Sequence, residues 1–334
     1  MRNGRTIRFR SPVLIEATAA TGGVKECEGP LGKYFDYCLK DDLLGQKSHE
    51  LAEIKMHIGT IKRLLNKTKL KISDIDFCFA GDLMDEIEGA SLTMRDFDVG
   101  FFGLYNACST FAEALILGAT MLDAGHASRV ICSTSSHFCT AERQYRFPLE
   151  YGSQRPPLAQ WTVTGSGATM LNKRFGKVAV VSATVGRVVD YGVTDTNDMG
   201  AAMAPAARDT LLNHLANTDS RPEDYDLIAT GDLGEAGSHL MRLLMREEGI
   251  ELGERYVDCG ALIFNRVAQD VGQGGSGAAC SATVFNGYLH RKMTEGMYRR
   301  VLLIPTGALL SKTSALQGES IPGIAHAVCF ERVE

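Results

Sequence analysis

The residue best placed to do chemistry in this chain is Cys108, in the run Tyr105-Asn-Ala-Cys-Ser-Thr. The stretch that follows, Phe111 to Leu122, is rich in Ala, Leu and Glu and contains no Pro. It predicts a helix with Cys108 and Ser109 at its N-terminus. Unpaired backbone N–H groups and the helix dipole favour negative charge there. A thiol so placed has a lowered pKa and can act as a nucleophile; the same geometry also binds a carboxylate without reacting. A plainer reading has Cys108 packing a tight strand-to-helix junction.

Repeats show what must position this residue. Asp74-Ile-Asp-Phe-Cys-Phe-Ala-Gly-Asp82 recurs as Asp224-Tyr-Asp-Leu-Ile-Ala-Thr-Gly-Asp232, 150 residues on, and Ala107-Cys108-Ser109 recurs as Ala279-Cys280-Ser281, 172 residues on. Helical spacing precedes each first echo, over Ser48 to Lys67 and Ala206 to Ala216. The chain is therefore expected to be α/β and duplicated, with halves at 1–173 and 174–334 and no linker. About twenty residues are inserted in the second copy between the two echoes, and Asp258-Cys259-Gly260 falls in that insertion. Asp82 and Asp232 could be taken for an acid dyad, but twofold repetition favours a capping role after each strand. Met199, Met203, Met241 and Met245 read as core, and His239 as a solvated helix residue.

Composition narrows the functions. With 334 residues and 45% hydrophobic content the chain can bury a large core, and its net charge is −5. No basic cluster interleaved with aromatics is present, so nucleic acid is not expected as a partner. The apolar stretch Val13 to Ala20 is broken by Glu16, which argues against a secretion signal, and no run reaches the length of a membrane span. An intracellular protein with at most peripheral membrane contact is expected. Nine cysteines without a C-x-x-C pair argue against a zinc site or a disulfide framework, and for a reducing compartment.

Asn106-Ala-Cys108-Ser, followed by a helix of small residues, resembles the nucleophile elbow of the thiolase and ketoacyl-synthase superfamily. That resemblance implies a layered sandwich of two similar halves, with mixed, mainly parallel sheets and helices between and outside them, and a homodimer. Further strings are similar to one sporulation family within that superfamily: Glu28-Gly-Pro-Leu-Gly32, Ser135-Ser-His137 with Thr140-Ala-Glu-Arg-Gln144, Thr162-Val-Thr-Gly-Ser-Gly167, Met203-Ala-Pro-Ala-Ala207 and Thr306-Gly-Ala-Leu-Leu-Ser311. This closer resemblance implies an endospore-forming bacterium and the company of other SpoVA proteins at the spore inner membrane. It also implies binding of dipicolinic acid (pyridine-2,6-dicarboxylate), alone or with calcium, for uptake into the developing spore.

The condensing members of the superfamily need a His and a second His or Asn beside the cysteine. No His follows Ile228-Ala-Thr-Gly231-Asp232, and the turn Gly272 to Gly277 contains no Asn, although its backbone N–H groups could still form an anion nest. A non-catalytic binding protein without a cofactor of its own is expected. Its ligand would contact Cys108, Ser109, Asp258, Cys259, His326, His137 and Arg143, with no protein metal site. Arg143 and, less directly, Arg146 offer carboxylate forks, and Asp258 an oxygen for calcium that enters with the ligand. The rival is an acyltransferase with Cys108 as nucleophile and His326 as base. A scaffold that docks other uptake proteins is the third reading.

Overall fold

The architecture comes from a computed structural model that describes residues 2–145 and 156–333; Arg146 lies outside them. The sequence repeat is a repeat of strand order. In the first half β1 (Thr6–Gly22), β2 (Phe77–Gly81), β3 (Gly100–Gly103), β4 (Arg129–Ser136) and β5 (Gly165–Asn172) lie as β3-β2-β4-β5-β1. The second half continues with β6 (Val178–Thr184), β7 (Leu227–Thr230), β8 (Tyr256–Asp258) and β9 (Arg300–Ile304). A hairpin of β10 (Thr306–Ala308) and β11 (Gly323–Ala325) follows, then β12 (Ala327–Arg332). Its sheet strands lie as β8-β7-β9-β12-β6, the same order. In both halves the outer three strands are parallel and the inner pairings antiparallel. Parallel pairing is thus confined to the flanks of a mixed sheet.

The two half-sheets share a strand. β1 pairs antiparallel with β6 over Thr6 to Leu14 and with β5 over Leu14 to Gly22. A strand of 17 residues is long enough to serve both neighbours, so one continuous sheet runs through both halves.

The helices that complete the frame are α1 (His49–Thr68), α2 (Thr110–Asp123), α3 (Phe138–Tyr145), α4 (Met199–Thr218), α5 (Gly234–Glu247), α6 (Cys259–Ile263) and α7 (Ala278–Val284). The two that carry the Ala-Cys-Ser echo, α2 and α7, form the buried middle. Every residue of α7 is buried, as suits a helix apolar all round. Phe111 of α2 and Phe285 just past α7 approach to 5.9 Å between ring centroids, and Phe285 packs on Phe330 at 4.3 Å. On the outside α1 and α4, of 20 residues each, start at matched caps: Ser48 accepts the Leu51 N–H and Asp198 the Ala201 N–H. The Asp198 cap starts α4 seven residues before the apolar stripe at Ala206 and carries it across Pro205.

Two sequence expectations are corrected here. β8 holds the place in the second half that β3 holds in the first, so Asp258 has a first-half counterpart; the extra length lies in α5 and the segment behind it. Cys27 and Cys38 are joined by a disulfide. Spacing gives no hint of this, because the pair is closed by tertiary folding, when Tyr37 and Cys38 pair in parallel with Thr21 and Gly22 of β1. Among the described residues no helix is long and apolar enough to cross a membrane.

Candidate functional site

Cys108 sits at a strained elbow. Ala107 has φ of +48°, a conformation few residues other than glycine adopt. Side chains hold the turn: Ser109 Oγ donates to the Asn106 carbonyl at 2.7 Å, and Thr110 Oγ1 to the Ala107 carbonyl at 2.7 Å. The β10 segment presses against it. A Cβ on Gly307 would lie 2.7 Å from the Asn106 carbonyl oxygen, so only glycine permits this approach. Ser109 is fully buried, and its hydroxyl serves the turn rather than the pocket.

Asp232 lies behind the thiol, just past β7, where the condensing enzymes place a His. Its carboxylate accepts from Ser276 Oγ at 2.8 Å, Thr306 Oγ1 at 2.6 Å and the Gly277 N–H at 3.1 Å. Ser276 Oγ in turn lies 3.9 Å from Cys108 Sγ. The glycine turn therefore spends its Gly277 N–H on Asp232, and the anion nest expected there is occupied by the protein's own carboxylate. Burial, and after it the Asp232 charge, raise the Cys108 thiol well above its ordinary pKa. This overturns the expectation of a lowered value. The helix-start effect is outweighed by desolvation and a neighbouring anion.

A cleft with about 540 Å³ of empty space, open solvent at its mouth included, lies over Cys108. Leu83, Tyr105, Ala141, Glu142, Tyr145, Gln160, Thr162, Met199, Ser276, Gly277, Ala308 and Leu310 line it with Ala107 and Cys108. The Tyr105 and Tyr145 hydroxyls meet at 3.0 Å, and Tyr145 also donates to the Leu83 carbonyl at 2.8 Å. Gln160 Nε2 donates to the carbonyls of Asp232 and Gly275, at 2.7 and 3.1 Å, and ties the two turns behind the thiol together. Among the described lining residues there is no Lys, Arg or His, and Glu142 is the one carboxylate. Met199, read as core, is part of this wall; Met203, Met241 and Met245 are buried in the core.

The other candidates scatter. Asp258 is buried and fully engaged: it caps α6 through the Ala261 N–H and accepts from Thr230 Oγ1 and the N–H groups of Leu233 and Gly234. It does not line the Cys108 pocket, and with both oxygens taken it is not the calcium donor expected of it. Cys259 is buried in the core. His326 reaches the elbow without reaching the thiol. Its Nε2 meets the Asn106 side-chain amide at 2.8 Å and its Nδ1 accepts the Gly186 N–H at 2.9 Å. Burial lowers its pKa to about 4, so the ring is neutral with no nitrogen free to act as a base. Arg143 is paired with Glu50 at 2.7 Å on the surface. His137 is buried beside His49, away from the pocket lining.

Sequence reasoning set aside Asp232 and passed over Gln160, Glu142 and the two tyrosines. The place of Asp232 after β7, where a His is expected, was the available signal; for the others there was none.

Solved structures define the class. The fold matches a single-residue variant of Xanthomonas campestris OleA (TM-score 0.62, 14% identity, covering 97% of this chain and 99% of that one). It matches human mitochondrial 3-ketoacyl-CoA thiolase in complex with CoA (0.61, 12%, 99% and 100%) and 3-oxoacyl-[acyl-carrier-protein] synthase III from Aquifex aeolicus VF5 (0.58, 13%, 96% and 99%). This is a thiolase-like α/β protein. Within the class the match is specific: the stage V sporulation protein AD (SpoVAD) family covers residues 3–331. The chain is 43% identical over 324 residues to stage V sporulation protein AD of Bacillus subtilis (strain 168), spanning 97% of this chain and 96% of that protein. The chain belongs to the stage V sporulation protein AD family.

Proposed function

We propose that this protein binds dipicolinic acid without chemistry, in the pocket over Cys108, alone or as its calcium complex, for uptake into the developing spore. The observation that carries the reading is the state of the thiol. Cys108 is buried next to a carboxylate that raises its pKa, and the one nearby imidazole, His326, has both nitrogens engaged. A protonated thiol without a base is a poor nucleophile but a serviceable pocket floor.

Calcium that enters with the ligand would offset the charge of the pyridine dicarboxylate dianion and takes oxygen ligands. The family supports placing the protein with other SpoVA proteins at the spore inner membrane, and the superfamily supports a homodimer. An acyltransferase is disfavoured by the same thiol, and the scaffold reading leaves the pocket without a use.

Calorimetric titration tests this. One-site binding of dipicolinate, alone or with calcium, is expected, weakened about tenfold or more by Cys108→Trp, which fills the floor. Absence of binding with and without calcium, or acylation of Cys108 by an acyl thioester, overturns it.

A further inference from the structure

Away from the pocket, the fold assembles a group of metal-binding side chains from separate segments. His49 is the first residue of α1, His137 follows β4, and Cys139 lies in the first turn of α3. One nitrogen of each imidazole and the Cys139 sulfur all lie within 4.8 Å of one another. The imidazole rings are 5.2 Å apart.

His137 is held on both sides. Its Nε2 meets the backbone carbonyl of Asp42 at 2.9 Å, a contact that requires the ring proton on that nitrogen, and its Nδ1 lone pair accepts the Cys139 N–H at 3.1 Å, a hydrogen bond that a metal on Nδ1 would replace. A backbone carbonyl that fixes the tautomer in this way is the usual support of a metal-bound His. His49 Nδ1 is buried with no hydrogen-bond partner, a cost that nothing in the surrounding protein compensates. Cys139 is the one free cysteine that is half-exposed; Cys78, Cys108, Cys132, Cys259, Cys280 and Cys329 are buried.

We propose that His49, His137 and Cys139 form a transition-metal site of the zinc class, tying the start of α1 to the start of α3. Two imidazoles and a thiolate suit Zn²⁺, with a fourth position left for water. Tetrahedral Zn–N and Zn–S bonds place ligand atoms roughly 3.5 Å apart, so the three groups close by side-chain rotation, which half-exposed His49 and Cys139 allow. Binding is a balanced exchange: the metal takes the place of the thiol proton, one S–H bond breaks as one metal–sulfur bond forms, and one proton leaves to solvent. Sequence spacing hides the site because His49 lies far along the chain from the His137-Phe138-Cys139 pair. α3 also carries Ala141, Glu142 and Tyr145 of the pocket wall, so metal at its first turn holds that wall in place.

The test uses reduced, chelator-stripped full-length protein titrated with Co²⁺. One equivalent is expected to bind with a thiolate-to-cobalt charge-transfer band, and Zn²⁺ to displace it with release of one proton per site relative to apoprotein. Cys139→Ser abolishes the band, and His49→Gln weakens affinity at least tenfold. A second measurement needs no variant: Zn²⁺ protects Cys139 from iodoacetamide, read by peptide mapping. Absence of stoichiometric binding, a band that persists in Cys139→Ser, or unprotected Cys139 at saturating Zn²⁺ overturns the proposal.

Discussion

Asp82 and Asp232 stand at the same point of the two halves, yet only one of them belongs to a site. Around them the duplication is kept to the hydrogen bond. Asp74 and Asp224 each accept a backbone N–H three residues back, from Lys71 and Arg221, both at 2.8 Å. Asp76 accepts the N–H groups of Ser128 and Arg129, and Asp226 those of Arg299 and Arg300. These carboxylates are architecture, repeated because both halves need the same turn. Asp82 continues the pattern, accepting the Met84 N–H at 2.7 Å and the Ala90 N–H at 2.6 Å. Asp232 departs from it: two of its three donors are side-chain hydroxyls, and a thiol lies beyond them. The cysteines split the other way, with Cys108 on the pocket and Cys280 buried, its sulfur on the Gly231 carbonyl. The half that supplies the thiol borrows its acid from the other, so duplication has produced one composite site rather than two.

The comparison breaks if the two acids prove interchangeable. Asp82→Ala orphans two buried N–H groups, each costing about 1–3 kcal/mol. It should therefore lower unfolding stability by about 3 kcal/mol in urea titrations, with no change in the alkylation rate of Cys108. Asp232→Asn should cost less stability, since hydroxyls can turn to new partners. It removes the charge that helps hold the thiol protonated, so iodoacetamide should modify Cys108 faster than in wild type at neutral pH. Equal effects of the two on reactivity would return Asp232 to the architectural class.

How far the sequence foretold this follows the same division. What repeats was legible: the duplicated α/β layout, the α1 helix to within a residue, and the elbow at Cys108 all come from patterns with a period or an echo. What is composite was not. The lining residues Gln160 and Glu142 meet Cys108 only through tertiary folding, and Asp232 was hidden by its resemblance to Asp82. Asp258 and Arg143 were chosen for the chemistry of their side chains, and in the fold a cap and a surface ion pair use that chemistry up. The thiol's raised pKa could not be read from a helix start, because burial and a distant acid outweigh the local dipole.

The smallest expected effect sharpens the comparison at the entrance to the last sheet strand of each half. Thr164 precedes β5, and its N–H donates to buried Glu26, whose pKa burial raises to about 8. His326 precedes β12 with a pKa lowered to about 4. The signs oppose. Glu26 contributes stability below its unfolded value of 4.5 and loses it as pH rises through 8. His326 contributes above its unfolded value of 6.5 and loses it as pH falls through 4. Each has a limiting slope of about 1.4 kcal/mol per pH unit. Wild type mixes both trends with those of other buried groups, so differences from single variants are the useful quantity. Relative to wild type, Glu26→Gln should gain stability between about pH 5 and 8, whereas His326→Gln should gain between about pH 6.5 and 4.5. Urea midpoints at a series of pH values read both. A His326→Gln difference that does not change with pH means that the ring titrates in the folded state as it does in the unfolded one; the desolvated, fully engaged imidazole that denies Cys108 a base would then be wrong.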